Sequence, residues 1–517
     1  MSNIPNRSAA GLAPSASPSA AGPGRPIDIV LLLIAAAAMF VLSTRHGIGI
    51  LPDSTRYMSL VDDPYDAPVY AWLLEAGTWL GATLGQTAYA LALFFLCGNV
   101  WLIWRMLDGA TQSRAAAAFG TALALFCPVF LGEQTVAMSE GPFIFSILIT
   151  LFALLRYWKT ERRIWLLWCG IGIGVSTLVR FTAPPLGAAI ALILLITPRH
   201  PFMRRVADAA TVGVAGAVIF LGWTVLSQLA VGRSIGRELA FHGHIDAQRW
   251  WWSLDSMTSM LLPTQVPLIA RAAVLIALVA GGAVLCIWQA GRALREAAVP
   301  QQGARLLGLT LGLFFVCYMA FLYLAFALEA NQHYTTRYLL PVYVTSVIMV
   351  TILLAEAAGA AGWIRQLRRG LIVLAVVVLA GHLVRSVDRV RDAYADGVGF
   401  ANARWVNSPV VRAAGQLPRD AIIYTNGPDA LAWLLQRRVR MTPHAVHWRT
   451  NQPDPLNPLP AQMARARADL AEGKTYFVML DGIDWRHYLV TEGELKTQLG
   501  LKLVRQEKDG RIYTGQR

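Results

Sequence analysis

Five acidic residues crowd one short stretch of an otherwise apolar chain. Asp53, Asp62, Asp63, Asp66 and Glu75 lie between Gly47 and Gly77, among Tyr57, Tyr65, Tyr70 and Trp72. Carboxylates beside a membrane span are unfavourable unless water, a cation or chemistry uses them. The stretch therefore reads as the acidic half of an active site. Asp53, in PDSTRYMSL, stands at the mouth of the first apolar run. On a helix, Asp53 and Tyr57 are i and i+4 and share one face. A carboxylate there can act as general base toward an acceptor hydroxyl; the plainer reading is an N-cap after Pro52. Asp62 and Asp63 bind a cation, position a second substrate, or form a solvated turn before Pro64. Tyr65, Tyr70 and Trp72 either stack on a sugar ring or line the membrane interface, where aromatics concentrate.

The basic partners come from further along. MSEGPF (138–143) sets Glu140 at the start of a later apolar run, where the helix dipole favours an acid whatever its role. Glu133 lies just before it, a weaker candidate. Arg180, in STLVRFTAPP, interrupts an apolar stretch. Arg337, in NQHYTTRYLLP, precedes another, with Tyr338 beside it and His333 one turn earlier. Two guanidiniums converging on the acidic stretch would suit a lipid phosphate, which guanidinium matches bidentately. The alternative is snorkelling to the head groups. HGHID holds His242, His244 and Asp246 at a loose metal-ligand spacing with no further ligand nearby, and Trp250, Trp251 and Trp252 follow as an aromatic anchor. Arg56, Arg271 and His382 read as interface residues.

The elements that must position these groups are membrane helices. Of the 517 residues, 56% are hydrophobic and 15% charged, against about 25% charged in soluble domains. The net charge is +14, and Arg and Lys cluster in short loops between apolar runs, which argues against nucleic acid. Anionic membrane lipids, or a phosphate-bearing lipid substrate, are its natural partners. The five cysteines all lie inside apolar runs without CxxC spacing, as small core residues do.

Residues 1–26 are rich in Ser, Ala, Pro and Gly and read as a disordered tail. A crossing needs roughly 17–25 apolar residues, which predicts about eleven spans. They fall near 27–43, 86–106, 114–131, 140–157, 164–179, 182–198, 209–230, 268–288, 306–327, 339–356 and 370–385. The first run lacks a small-residue cleavage site and more spans follow, so it reads as an uncleaved helix. Every second loop is basic, from Arg105 and Arg114 through Arg156–Arg163, Arg199–Arg205 and Arg292–Arg305 to Arg365–Arg369. Those loops and the N-terminus should face the cytoplasm. The loop 44–85, Glu133–Glu140, Arg180, residues 231–267 and residues 329–338 then face outward with the C-terminal part. After a transmembrane domain over 27–386, residues 387–517 turn soluble: a helical stretch to about Leu417, a strand at 421–426, a helix at 428–438, and a strand at 475–480. LKLVRQ and RIYTGQ straddle Asp509-Gly510, a strong hairpin turn. This predicts a C-terminal α/β domain.

The order of parts resembles the GT-C superfamily of polytopic membrane glycosyltransferases, in particular bacterial members akin to the protein O-mannosyltransferase and aminoarabinose-transferase group. The likeness rests on a D-x-x-x-Y loop after span one (Asp53, Tyr57), an M-S-E-x-x-F segment (Met138, Ser139, Glu140, Phe143) and an L-x-R-x-T-x-P element (Leu178, Arg180, Thr182, Pro184). T-R-Y-L-L-P (Thr336 to Pro341) and I-I-Y-T-N-G-P-D (Ile422 to Asp429) complete it. The resemblance implies a GT-C-like fold in the bacterial inner membrane with a periplasmic C-terminal domain. It further implies an inverting transfer from a polyprenyl-phosphate sugar to an envelope acceptor, with Asp53 as base. Several relatives carry His-Pro-Pro-like residues where this chain has Asp66-Ala67-Pro68, so the resemblance specifies neither the acceptor nor a divalent cation.

On this reading Asp53 and Glu140 are catalytic, and Arg337, Arg180 and Tyr338 hold the donor phosphate. Tyr57, Asp62, Asp63, Tyr65 and His333 contact substrate. No Gly-rich phosphate loop for a nucleotide sugar is evident. Three other readings carry their own signatures. A transporter or flippase should show charged or broken helices at the midplane and related halves. A non-catalytic assembly or sensor protein should tolerate loss of Asp53. An O-antigen ligase or polymerase is a near neighbour of the first reading.

Overall fold

A computed structural model describes residues 27–61, 67–231, 247–295, 303–328, 334–448 and 450–515. The first apolar run forms α1 (Ile27–Ser43), and the acidic stretch after it holds two helices, α2 (Pro52–Tyr57) and α3 (Pro68–Trp79). Each opens on a proline at its first position, where the missing N–H has no partner to lose.

The membrane part continues with α4 (Leu84–Thr111), α5 (Arg114–Leu125), α6 (Pro128–Gln134), α7 (Glu140–Thr160), α8 (Ile164–Val179) and α9 (Pro184–Ile196). Then come α10 (Phe202–Val231), α11 (Ala247–Ser259), α12 (Leu268–Arg295), α13 (Gly303–Leu328), α14 (Thr336–Glu356) and α15 (Gly362–Asp396). Among the described residues, seven of these (α4, α7, α10, α12, α13, α14 and α15) are long and apolar enough to cross a membrane. The pair α5 and α6, bent by 67° at Pro128, passes that test jointly, and α1, α8 and α9 are shorter apolar helices. Hydrophobic runs in lipid must satisfy their backbone internally, so helices form wherever the runs occur. The molecule is thus a polytopic helical membrane protein.

Glycines set how closely two of these helices approach. A Cβ on Gly170 of α8 would lie 2.7 Å from the Val212 carbonyl of α10, and one on Gly174 3.1 Å from that of Gly216. Small residues let helix backbones come together where lipid gives no hydrophobic drive. Past α15 the chain turns at Gly397, which adopts φ +82°.

The C-terminal part contains α16 (Ala403–Val406), α17 (Pro409–Gly415), β1 (Ile422–Thr425), α18 (Pro428–Leu435), β2 (Arg440–Met441), α19 (Leu459–Ala471), β3 (Thr475–Leu480), α20 (Glu492–Leu499), β4 (Leu501–Glu507) and β5 (Gly510–Gly515). The sheet order is β2-β1-β3-β5-β4. β1 runs parallel to β2 and β3, and the predicted β4–β5 hairpin is antiparallel. The helix expected to 438 ends at Leu435, because Gln436 takes a left-handed conformation. β2, two residues long, carries too little pattern to be read from sequence.

This domain shares its core with the membrane part. Val410, Ile423, Leu431, Val478 and Ile512 belong to the same buried cluster as the transmembrane helices. A smaller cluster around Tyr424, Phe477 and Tyr513 fills the far face of the sheet. Backbone bonds reinforce the union: Gly49 N donates to Thr135 O (3.0 Å), and Phe400 N donates to Ile50 O (2.8 Å). The segment leading into α2 is therefore held between the α6–α7 connection and the chain after α15.

Candidate active site

Asp53 is not a cap. Leu51 is the N-cap of α2, and its N–H donates to the Ser54 hydroxyl at 2.9 Å. That leaves both Asp53 oxygens for side chains. Arg56 Nη2 donates to Oδ1 at 2.5 Å, and Arg337 Nη1, from the first turn of α14, donates to Oδ2 at 2.5 Å. Arg337 Nε also donates to Glu140 Oε1, which accepts Arg180 Nη1 at 2.6 Å as well. Arg180 Nη1 reaches the Ser139 hydroxyl at 3.0 Å, and Ser139 pairs with the Tyr57 hydroxyl at 3.0 Å. The charges alternate along one line: Arg180, Glu140, Arg337, Asp53, Arg56.

Local sequence explains each position. Arg180 terminates α8 in an extended conformation, and Pro184 starts α9, so the guanidinium leaves a break between helices. Glu140 is the first residue of α7 and is 1% exposed. Its Oε2 is buried without a hydrogen bond, so the Oε1 contacts to two arginines are what offset its desolvation. For Asp53, burial pushes the carboxyl pKa up, but Arg337 first, then Arg56 and Arg180, outweigh it and hold the value at about 2. The group is ionised throughout the neutral range.

The cluster faces a cavity of about 1610 Å³. Asp53, Arg56, Tyr57, Arg180, Arg337 and Tyr338 line it. On one side the wall is apolar, with Ile173 of α8, Gly216 and Phe220 of α10, and Phe321 of α13. On the other side the C-terminal domain contributes Asp429, Arg440, Trp485, Arg486 and Tyr488. Arg180 lies 6.0 Å from the Tyr338 ring centroid. The arrangement can hold an anion at the guanidiniums, hydrocarbon in the groove and a polar ligand against the domain.

Several residues singled out in the sequence sit elsewhere. Tyr70 is 1% exposed and packs edge-on against Tyr57 at 5.2 Å, so it neither stacks on a ligand nor lines the interface. Trp72, by contrast, stays 42% exposed while packing edge-on against Trp223 at 4.7 Å, which is compatible with a place at the interface. Arg271 and His382 are buried rather than interfacial: Arg271 bonds Asp255 and Thr258, and His382 lies between the Tyr343 hydroxyl and Met260 O. Asp62, Asp63, Tyr65, His333, His242, His244 and Asp246 lie outside the described residues. Among the described residues, no group of three or more His, Cys, Asp or Glu is placed to hold a metal ion.

Sequence reading also missed members of the site. Arg56 reads as an interface residue, although its i+3 spacing from Asp53 on a helix is the signal of a pair. Asp429 and Arg486 are bonded to each other in the cavity wall across 57 residues of sequence, a separation that leaves no local trace.

Known proteins fit this architecture. Residues 62–225 match the family model described as dolichyl-phosphate-mannose-protein mannosyltransferase. No curated protein matches the chain in sequence. The crystal structure of ArnT from Cupriavidus metallidurans in the apo state superposes with a TM-score of 0.61 at 15% identity, covering 94% of this chain and 97% of that one. The structure of the same protein bound to undecaprenyl phosphate gives 0.59 at 14% identity, covering 95% and 98%. The chain has the GT-C fold of the polytopic membrane glycosyltransferases.

Proposed function

We propose that the protein transfers a sugar from a polyprenyl-phosphate donor to an acceptor hydroxyl of the cell envelope, with inversion and with Asp53 as general base. One observation carries this reading: Asp53 and Arg337 are paired at the point where an apolar groove meets a polar chamber. The groove between α8, α10 and α13 suits an isoprenoid tail. Arg56, Arg180 and Arg337 face the two carboxylates of Asp53 and Glu140, so the cluster keeps one net positive charge for a phosphate. ArnT from Cupriavidus metallidurans, of the same fold, binds undecaprenyl phosphate, and the same class of carrier is proposed here.

The ion pairs give the mechanism its order. In the free protein Asp53 is a weak base, because Arg337 and Arg56 hold its proton affinity down. A phosphate entering the cluster competes with Asp53 for Arg337, and loosening that pair raises the basicity of the carboxylate. Asp53 then takes the acceptor's proton as the acceptor oxygen bonds to the anomeric carbon. The bond from that carbon to the phosphate oxygen breaks, and its electron pair leaves with the phosphate. Arg337 and Arg180 stabilise the charge that develops there, while Glu140 aligns both guanidiniums. Base on one side and leaving group on the other make a single displacement, hence inversion. The alternating basic loops support a reading in which this chemistry faces outward from the bacterial inner membrane.

The test supplies purified protein with radiolabelled undecaprenyl-phosphate sugars and a membrane extract. Label should move to an acceptor with the wild-type protein. It should fall by about 10²–10⁴-fold in Asp53→Asn, the range of a lost general base. Undiminished transfer in that variant removes Asp53 as base, and no transfer from any such donor removes the reading itself.

A further inference from the structure

A second buried ion pair lines the cavity, and the chemistry above leaves it without a task. Asp429, in the first turn of α18, is 4% exposed, and its Oδ2 accepts from Arg486 Nη2. Arg486 is braced in turn by the Tyr488 hydroxyl at 3.0 Å. Nothing in this pair requires the membrane domain. Yet the other oxygen, Oδ1, faces Thr55 Oγ of α2 at 3.3 Å, and Thr55 is fully buried. The Thr55 hydrogen is shared with Pro52 O at 2.8 Å, so the contact ties Asp429 to the turn that contains Asp53. Arg56, which donates to Asp53, also acts on the charge of Asp429.

Position, rather than stability, is what such a pair supplies. Two desolvated charges roughly cancel their own attraction, but Arg486 fixes the direction in which the Asp429 carboxylate points. α2 has only six residues, too few to hold itself in place. Its entry is clamped by the Ile50–Phe400 bond; its body meets the C-terminal domain at Thr55 and, through the charge of Arg56, at Asp429.

We infer that Asp429, held by Arg486, is a positioning residue for the helix that carries Asp53, so that the C-terminal domain sets where that carboxylate stands relative to Arg337. The inference deepens the transfer reading and rests on it for the meaning of Asp53; the placement itself does not.

The experiment uses the full chain in lipid nanodiscs, with amide exchange measured beside the transfer assay. Asp429→Leu/Arg486→Met removes both charges and the acceptor oxygen. Asp429→Asn/Arg486→Gln removes the charges, keeps an oxygen for Thr55 and leaves no charge buried alone. The first should raise exchange across residues 50–58 about tenfold or more, the second by less, both with β3 amides at wild-type rates. Transfer kcat should fall in the same order with the donor KM within about twofold. Arg486→Lys, which keeps the charge, should retain more protection than either double variant. Unchanged exchange at 50–58 in both, or a rise that extends through β3, overturns the positioning role. If the wild-type chain transfers no sugar, the transfer reading falls and the exchange data still decide the placement.

Discussion

Asp53 and Arg337 are 284 residues apart in the sequence and 2.5 Å apart in the fold. The contact joins a six-residue helix outside the membrane core to the first turn of a transmembrane helix. Because Arg337 reaches Glu140 with a second nitrogen, one guanidinium holds α2, α7 and α14 in register around the cavity.

That double contact depends on the shape of the guanidinium. Lysine keeps the charge but offers a single flexible point, so Arg337→Lys should engage Asp53 or Glu140 rather than both. Binding of undecaprenyl phosphate should weaken about tenfold, in keeping with the loss of one charge-assisted pair. Titration of the lipid phosphate into the detergent-solubilised variant measures this. Wild-type affinity would mean the phosphate is held elsewhere.

Acid should dissolve the cluster in a defined window. The folded pKa of Asp53, about 2, lies below the usual 3.8. Its ion pairs therefore contribute stability, on the order of 2 kcal/mol, that is complete above about pH 4 and lost as pH falls toward 2. Thermal midpoints of wild type and Asp53→Asn should differ at pH 6 and converge between those limits. A constant difference down to pH 2 would contradict the pairing.

The apolar groove can be filled without disturbing the backbone. A Cβ on Gly213 would meet nothing within 4 Å, and Gly213 lines the cavity. Gly213→Phe should leave the fold intact and weaken undecaprenyl-phosphate binding about tenfold, while a short-chain isoprenyl phosphate binds as before. Equal loss for both lipids would place the tail outside the groove.

Gly399 tests the clamp on α2. It has φ +59°, and a Cβ there would sit 2.1 Å from Ile50 O. Gly399→Ala should destabilise the protein by about 1–3 kcal/mol, the cost of a strained backbone position. Exchange at residues 50–58 should rise with it, read by thermal unfolding and amide exchange. A variant as stable and as protected as wild type would show that Ile50 is held by other contacts.

Much of the architecture is legible in one dimension because lipid makes it so. A segment in hydrocarbon must be a helix of a certain length, so apolar runs mark their own crossings: α4, α7, α10 and α14 stand where the runs stand. Charged residues in such surroundings are conspicuous, and Asp53, Glu140, Arg180 and Arg337 stand out for that reason. Whether they meet is a separate matter. Contacts between α2, α7 and α14 depend on how helices pack, and the hydropathy of each run is blind to its neighbours. The same blindness turned Tyr70, Arg271 and His382, all buried, into surface candidates. It also hid the pairing of Asp429 with Arg486, which exists only once β1 and β3 lie side by side and bring the residues that follow each of them together. Sequence determined which residues are unaffordable in lipid unless partnered; the tertiary structure alone decided who the partners are, because burial and ion pairing are properties of segments brought together from far apart.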